Sequence, residues 1–153
     1  MIVYLETSAL LKVYHDEKGS DNLAAYLRRR DTDFALIVSD LSFVEFHSAI
    51  MRKARLSEIS FVAAREILDR FKREIERYSV LSVDDTVLST AIVLLETLGT
   101  KIHLRSLDAI QLASALIVRR SEIVESFVTS DTRLVDAARH FFRVFNPEVK
   151  TTS

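Results

Sequence analysis

An α/β fold is expected, with a mostly parallel central sheet between two helical layers, and three observations predict it. Short apolar β-type runs alternate along the chain with stretches whose apolar residues recur at helical spacing. Each gap between runs is long enough to hold a helix, the connection that a parallel crossover requires. Acidic and hydroxyl residues fall where runs end, the edge at which parallel sheets collect their ligands.

The first run, Ile2 to Leu5, is apolar without alternation, as expected of a strand covered on both faces. Thr7 and Ser8 are natural N-caps for a helix over Ala9 to Tyr14, and Gly19-Ser20-Asp21 is a turn into a helix that ends in the Arg28-Arg29-Arg30 run. Phe34 to Ser39 reads as a second buried strand. Ser39 or Asp40 then caps a helix to about Arg55, with Leu41, Val44, Ile50 and Met51 on its inner face. Ser57 to Tyr78 is expected as one long amphipathic helix, inner positions Ile59, Val62, Ala63, Ile67, Phe71 and Ile75. A brief strand, Ser79 to Val83, precedes a helix capped by Asp84 or Asp85 and stopped by Gly99 as a C′ glycine. Ser106 opens an Ala-, Leu- and Ile-rich helix to about Arg119. Phe127 to Thr129 forms the next strand, Asp131 to about Arg139 the last helix, and Phe141 to Phe145 a terminal strand stopped by Asn146-Pro147. The order is β-α-α-β-α-α-β-α-α-β-α-β, a three-layer α/β/α arrangement.

A chain of 153 residues with 48% hydrophobic and 28% charged residues suits one domain over residues 1–147 with a short tail at 148–153. Two glycines and one proline leave little material for flexible linkers, and the scarcity of glycine removes Walker, dinucleotide-binding and Gly-x-Ser-x-Gly motifs. Without cysteine, thiolate nucleophiles, disulfides and Cys-ligated metals are excluded, so any metal must sit on oxygen or imidazole. The amino terminus reaches Glu6 before a signal-peptide core could form, and the apolar runs fall short of the roughly 20 residues of a membrane span. A cytoplasmic protein is expected. The net charge of −1 gives no global attraction to phosphate, so a nucleic-acid substrate would need local patches such as Arg28 to Arg30, Arg52-Lys53-Arg55 or Arg119-Arg120. Each also stands near a helix C-terminus, where cations complement the dipole.

Four acids fall at strand ends or helix starts: Glu6, Glu45, Asp108 and Asp131. Taken singly, each has an ordinary explanation. Glu6 ends a strand, Glu45 sits on a helix between apolar residues, and Asp131 in Thr-Ser-Asp-Thr is a common N-cap. Asp108 heads an apolar helix where an acid needs a partner or a cation, and with Ser106 available as the cap, a capping Asp108 would be redundant. Taken together, converging carboxylates repel one another unless a divalent cation neutralises them. Mg²⁺ or Mn²⁺ suits such oxygen ligands, and the reaction class that follows is phosphodiester hydrolysis. The four histidines, His15, His47, His103 and His140, have no ligand spacing to one another.

The flanking motifs carry a resemblance. Tyr4-Leu5-Glu6-Thr7-Ser8-Ala9-Leu10, an acid in the helix after the second strand, Leu107-Asp108-Ala109 with Leu112-Ala113, and Phe127-Val128-Thr129-Ser130-Asp131 occur in the order of the PIN-domain ribonucleases, over Val3 to Pro147. Within them the chain resembles the VapC-type toxins of toxin-antitoxin pairs. The resemblance implies a three-layer PIN-like fold and Mg²⁺- or Mn²⁺-dependent endoribonuclease activity on RNA such as tRNA or rRNA. It further implies a VapB-type antitoxin as inhibitor and a homodimer. Position by position it makes Glu6, Glu45, Asp108 and Asp131 the catalytic and metal-binding acids, with Ser8 and Thr129 as supporting hydroxyls. One residue departs from the pattern: the family's first acid is ordinarily Asp in Asp-Thr-Ser-Ala-Leu, and here it is Glu6. Two expectations follow. The site retains cleavage with a shifted cation, or the chain is a weakened or inactive module that binds RNA or a protein partner.

Overall fold

The structure, a computed structural model, describes residues 2–29 and 34–149. Its element order is β1 (Ile2–Leu5), α1 (Thr7–Tyr14), α2 (Ser20–Arg28), β2 (Ala35–Ser39), α3 (Leu41–Arg55), α4 (Phe61–Glu74), a 3₁₀ turn (Ile75–Arg77), β3 (Tyr78–Leu81), α5 (Asp85–Leu98), α6 (Ser106–Val118), β4 (Val124–Val128), α7 (Thr132–Ala138) and β5 (Val144–Phe145). The expected order and the α/β/α class are both found. Arg30 of the first basic run lies outside the described residues.

All strand pairings are parallel and the sheet order is β3-β2-β1-β4-β5. The chain builds outward from β1 to β2 and β3 on one side, then returns to β4 and β5 on the other. The crevice at the carboxyl ends of β1 and β4 is therefore the topological switch point, where α/β sheets bind ligands.

Side chains of β1 alternate between the two cores, as the pleat requires. Val3 and Leu5 pack with Leu10, Phe46, Ile50, Leu68 and Phe71 beneath α1 to α4. Tyr4 enters the opposite core with Val87, Leu94, Leu112, Phe127 and Leu134 beneath α5 to α7, stacking on Phe127. Both faces of β1 are covered, which is why its sequence is apolar throughout.

Several local expectations are corrected. Residues 57–78 do not form one helix. The backbone turns at Ser57, whose φ of 60° is left-handed, and Ser60 caps α4 by accepting from Ala63 N–H at 3.0 Å. The inner faces are rotated as well: α3 buries Ser42, Phe46 and Ile50 and α4 buries Ala64, Leu68 and Phe71, while Val44 and Val62 face outward. Both helices carry apolar residues on two sides, so spacing alone does not select the packed stripe. Asp40 does not cap α3 with its side chain; its carboxylate accepts from Val83 N–H at 3.1 Å, tying the end of β2 to the start of α5. Gly99 adopts right-handed geometry at φ −61° rather than the left-handed C′ conformation. Gly19 is the glycine that backbone geometry demands: φ is +90°, and a Cβ there would stand 2.9 Å from the Pro147 carbonyl.

The segment after β5 is held down at the same place. Asn22 donates to Pro147 O at 2.9 Å, and the buried Lys12 ammonium bonds both Glu17 and Glu148 at 2.8 Å. Among the described residues no helix is long and apolar enough to cross a membrane.

Candidate active site

Glu6 leaves β1 at the switch point and becomes the N-cap of α1, in place of the expected Thr7 or Ser8. It is only 7% exposed. One carboxylate oxygen, Oε2, accepts from Ser8 N–H at 3.0 Å, from Ser8 Oγ–H at 2.5 Å and from Thr129 Oγ–H at 2.8 Å. The first bond caps the helix, the second ties the Ser8 hydroxyl to the same oxygen, and the third reaches across to the end of β4. Parallel register brings this about: Leu5 pairs with Val128, so the next residues of the two strands leave the sheet side by side.

The two supporting hydroxyls work as a relay. Ser8 Oγ accepts from Ser130 N–H at 2.8 Å, and Thr129 Oγ1 accepts from Asp131 N–H at 3.1 Å. Asp131 then caps α7, its Oδ1 accepting from Arg133 and Leu134 N–H at 2.9 and 3.2 Å. Burial pushes the Glu6 carboxyl up to about 7, with Glu45 adding to the rise, against the pull of the Ser8 and Thr129 hydrogen bonds.

Glu45 comes from the second turn of α3. Its Oε2 accepts from Thr7 Oγ–H at 2.5 Å and from Gln111 Nε2–H at 2.7 Å. Thr7, adjacent to Glu6, thus links the first two acids through one residue of backbone. Asp108 occupies the first turn of α6, where Oδ2 accepts from Arg105 N–H at 3.0 Å. The redundancy expected of it does not hold: Arg105 occupies the N-cap position, Ser106 is already inside the helix, and Asp108 itself satisfies a helix-end donor. Burial raises its carboxyl above the usual range and nearby Asp131 pushes the same way, opposed by the Arg105 N–H and by the Arg105 and Arg133 charges.

The four acids therefore reach one edge of the sheet as two electrostatically coupled pairs, Glu6 with Glu45 and Asp108 with Asp131. Among the described residues no three Asp, Glu or His side chains stand together as a ligand set. A closed protein cage does not fit this arrangement. A hydrated Mg²⁺ or Mn²⁺ does, because such ions keep several waters and take one or two carboxylates. The buried Glu6, destabilised as an anion, is a donor that a cation would relieve.

Sequence reasoning missed Gln111 and its neighbours. Gln111 is 1% exposed; Oε1 accepts from the Tyr4 hydroxyl at 2.8 Å, and Nε2 lies 2.9 Å from Ser42 Oγ and 3.0 Å from Thr7 Oγ1 as well as beside Glu45. The signal was available: an amide in a helix of Ala, Leu and Ile requires partners as much as the acid at its head.

A model of the PIN domain matches residues 3–140. The chain belongs to the PIN-domain family. Ribonuclease VapC35 of Mycobacterium tuberculosis is 37% identical over 139 residues, covering 90% of each chain, which sets this PIN domain among VapC-type members. The fold is shared with the FitAcB crystal structure from Neisseria gonorrhoeae, at TM-score 0.72 and 18% identity over 96% of this chain and 98% of that one. It is also shared with a toxin-antitoxin complex from Klebsiella pneumoniae, at TM-score 0.63 and 14% identity over 95% and 97%.

In this PIN domain one residue from each of two basic patches named above is engaged in structure, while Arg28, Arg29, Arg52, Arg55 and Arg120 are exposed. Lys53 pairs with Glu17 and Glu58 at 3.1 and 3.3 Å, and Arg119 donates to Phe141 O at 2.6 Å while covering the Phe142 ring. Arg105 and Arg133 are the cationic residues beside the acids. His47 bonds Phe43 O at 2.7 Å through Nδ1, apart from the carboxylates.

Proposed function

We propose that this chain is a Mg²⁺- or Mn²⁺-dependent endoribonuclease toxin of the cytoplasm, acting on structured RNA such as tRNA or rRNA and neutralised by a VapB-type antitoxin. The observation that carries the reading is the buried Glu6 carboxylate, held at the switch point by Ser8 and Thr129 and coupled to Glu45, with Asp108 and Asp131 opening the two neighbouring helices. VapC35 carries the name ribonuclease, which supports the reaction class.

In this reading Glu6 and Glu45 are the carboxylates that hold the cation, and Asp108 and Asp131 face it from α6 and α7. Bound there, the ion supplies charge neutralisation at the phosphate and lowers the pKa of a water for in-line attack. Thr7 and Gln111 keep Glu45 in one rotamer, while Ser8 and Thr129 do the same for Glu6, so little reorganisation is left for the reaction itself. Arg105 and Arg133 give the phosphate its attraction in a chain with no net positive charge.

The antitoxin is assigned to the α3–α4 hairpin, where Phe61 and Val62 are exposed and a partner helix could cover them. The homodimer is assigned to α5, which presents Leu88, Ile92 and Val93 to solvent with few charges between them.

Incubation of antitoxin-free protein with total RNA and Mn²⁺, beside Asp108→Asn, tests the activity. Cleavage that disappears in the variant supports it; an intact RNA profile with the unmodified protein refutes it and favours the second reading, a binding module inactivated by Glu6. Glu6→Asp separates the two further, since recovery of cleavage on shortening this side chain would assign the loss to Glu6 alone.

A further inference from the structure

We propose that Gln111 is a positioning residue of this site, whose buried amide fixes the Glu45 carboxylate for the cation. The inference rests on the metal-dependent reading above. It is carried by the hydrogen bonds of one side chain that lies outside the acid set.

The amide can take only one orientation. Gln111 Nε2 stands 2.7 Å from Glu45 Oε2, and rotating the group by half a turn would set two acceptor oxygens at that distance. The Tyr4 hydroxyl, donating to Gln111 Oε1 at 2.8 Å from within the α5–α7 core, reinforces this orientation from the other side. Nε2 has two hydrogens and three acceptors in reach. The carboxylate is the nearest, and a bond to a carboxylate is the strongest of the three kinds, so Glu45 takes one hydrogen. The other is shared by Thr7 and Ser42.

A merely structural amide would have to satisfy Tyr4, for which one acceptor suffices. Here the donor end points away from Tyr4 into a set of three polar groups, all of which come from α1 and α3. The donor end thereby joins α6, which also carries Asp108 three residues earlier, to the helix that carries Glu45 and to Thr7 beside Glu6. A shift of Gln111 would loosen Glu45 directly while leaving Glu6, held by Ser8 and Thr129, in place.

The test measures Mn²⁺ binding to the antitoxin-free protein by calorimetry, without RNA. Gln111→Met keeps length and flexibility but removes the donors. Its dissociation constant for Mn²⁺ should rise about 10- to 100-fold, the usual effect of losing a group that orients a ligand. In a Glu45→Gln background the same substitution should change the constant by less than about 2-fold, because the two residues act as one unit. Wild-type affinity in Gln111→Met, or full additivity with Glu45→Gln, overturns the positioning role while leaving the metal reading intact. Absence of Mn²⁺ binding by the unmodified protein overturns both. Should Gln111→Met fail to fold, the unmodified protein still decides: on Mg²⁺ titration the Gln111 side-chain amide resonances should shift with the binding isotherm, and fixed resonances at saturating Mg²⁺ overturn the proposal.

Discussion

Replacing Glu6 with Gln should make the metal-free protein more stable at high pH than at low pH relative to the unmodified chain. Glu6 is almost fully buried, and its carboxyl is pushed from the ordinary 4.5 up to about 7, first by burial. At about 1.4 kcal/mol per pH unit, that displacement corresponds to roughly 3 kcal/mol between the protonated and ionised forms. The folded state prefers the protonated acid. The favourable contribution is therefore fully present below pH 4.5 and is lost as pH rises through 7. An amide at this position can still accept the Ser8 and Thr129 hydrogen bonds through its oxygen, and it does not ionise.

The assay is urea unfolding of both proteins in excess chelator from pH 5 to 8.5, followed by far-UV circular dichroism. The difference in unfolding free energy, Glu6→Gln minus unmodified, should climb by about 2–3 kcal/mol across that range. Taking the difference cancels contributions common to both proteins. At pH 8, Mg²⁺ at about 100 times its dissociation constant should return about 2.7 kcal/mol to the unmodified chain and much less to the variant. Parallel pH curves for the two proteins would refute the reasoning, since they would mean that the Glu6 carboxyl titrates normally in the folded state.

Three further outcomes are expected. Asp131→Ala should lose about 1–2 kcal/mol in thermal or urea unfolding, because Arg133 and Leu134 N–H lose their acceptor, whereas Asp131→Asn, which still caps, should lose less than half of that while abolishing RNA cleavage. Lys12→Ala should cost about 2–4 kcal/mol in urea unfolding, more than Glu148→Ala, because it removes a buried aliphatic stem and both ion pairs together, whereas Glu148→Ala leaves the ammonium its Glu17 partner. If the proposed α5 dimer forms, Ile92→Lys should convert it to a monomer in sedimentation velocity with no loss of Tm beyond about 2 °C, since this side chain is exposed in the single chain.

How much of this was legible in the sequence follows from which forces act locally. The apolar run at Ile2 to Leu5 declares itself because a strand buried on both faces must be apolar throughout, whereas β2, expected to be buried, is exposed at Ala35 and fully buried only at Val38 and Ser39. The packed faces of α3 and α4 did not declare themselves, because Val44 and Val62 are as apolar as Phe46 and Ala64 and only the neighbouring layers decide between them. The four acids were visible as types at strand ends. Their geometry was not, since it depends on the β1–β4 register and on the Thr129 hydroxyl, more than 100 residues from Glu6 in the chain. Asp108 shows a subtler limit. Ser106 looked sufficient as a cap, but the helix starts one residue earlier than its side chain could serve. Gln111 was passed over because a single polar residue in an apolar helix reads as noise until its partners are known.

Glu6 is where the local and global requirements meet. A shorter Asp would suit the N-cap position at least as well, because capping needs only an oxygen near the N–H groups two or three residues on. The Glu side chain adds about one carbon–carbon bond of reach, and its single oxygen Oε2 both caps α1 through Ser8 and accepts from Thr129 across the sheet. Shortening it forces a choice between those two bonds unless α1 and β4 draw closer. Glu6→Asp should therefore weaken the tie between α1 and the β4–α7 connection, seen as faster amide exchange at Ser130 and Asp131. If cleavage nevertheless rises in that variant, the extra reach of Glu6 serves the sheet crossing at the expense of the cation. If both cleavage and protection fall, the Thr129 bond itself belongs to the working site, and the longer acid is the form to which the rest of this chain is fitted.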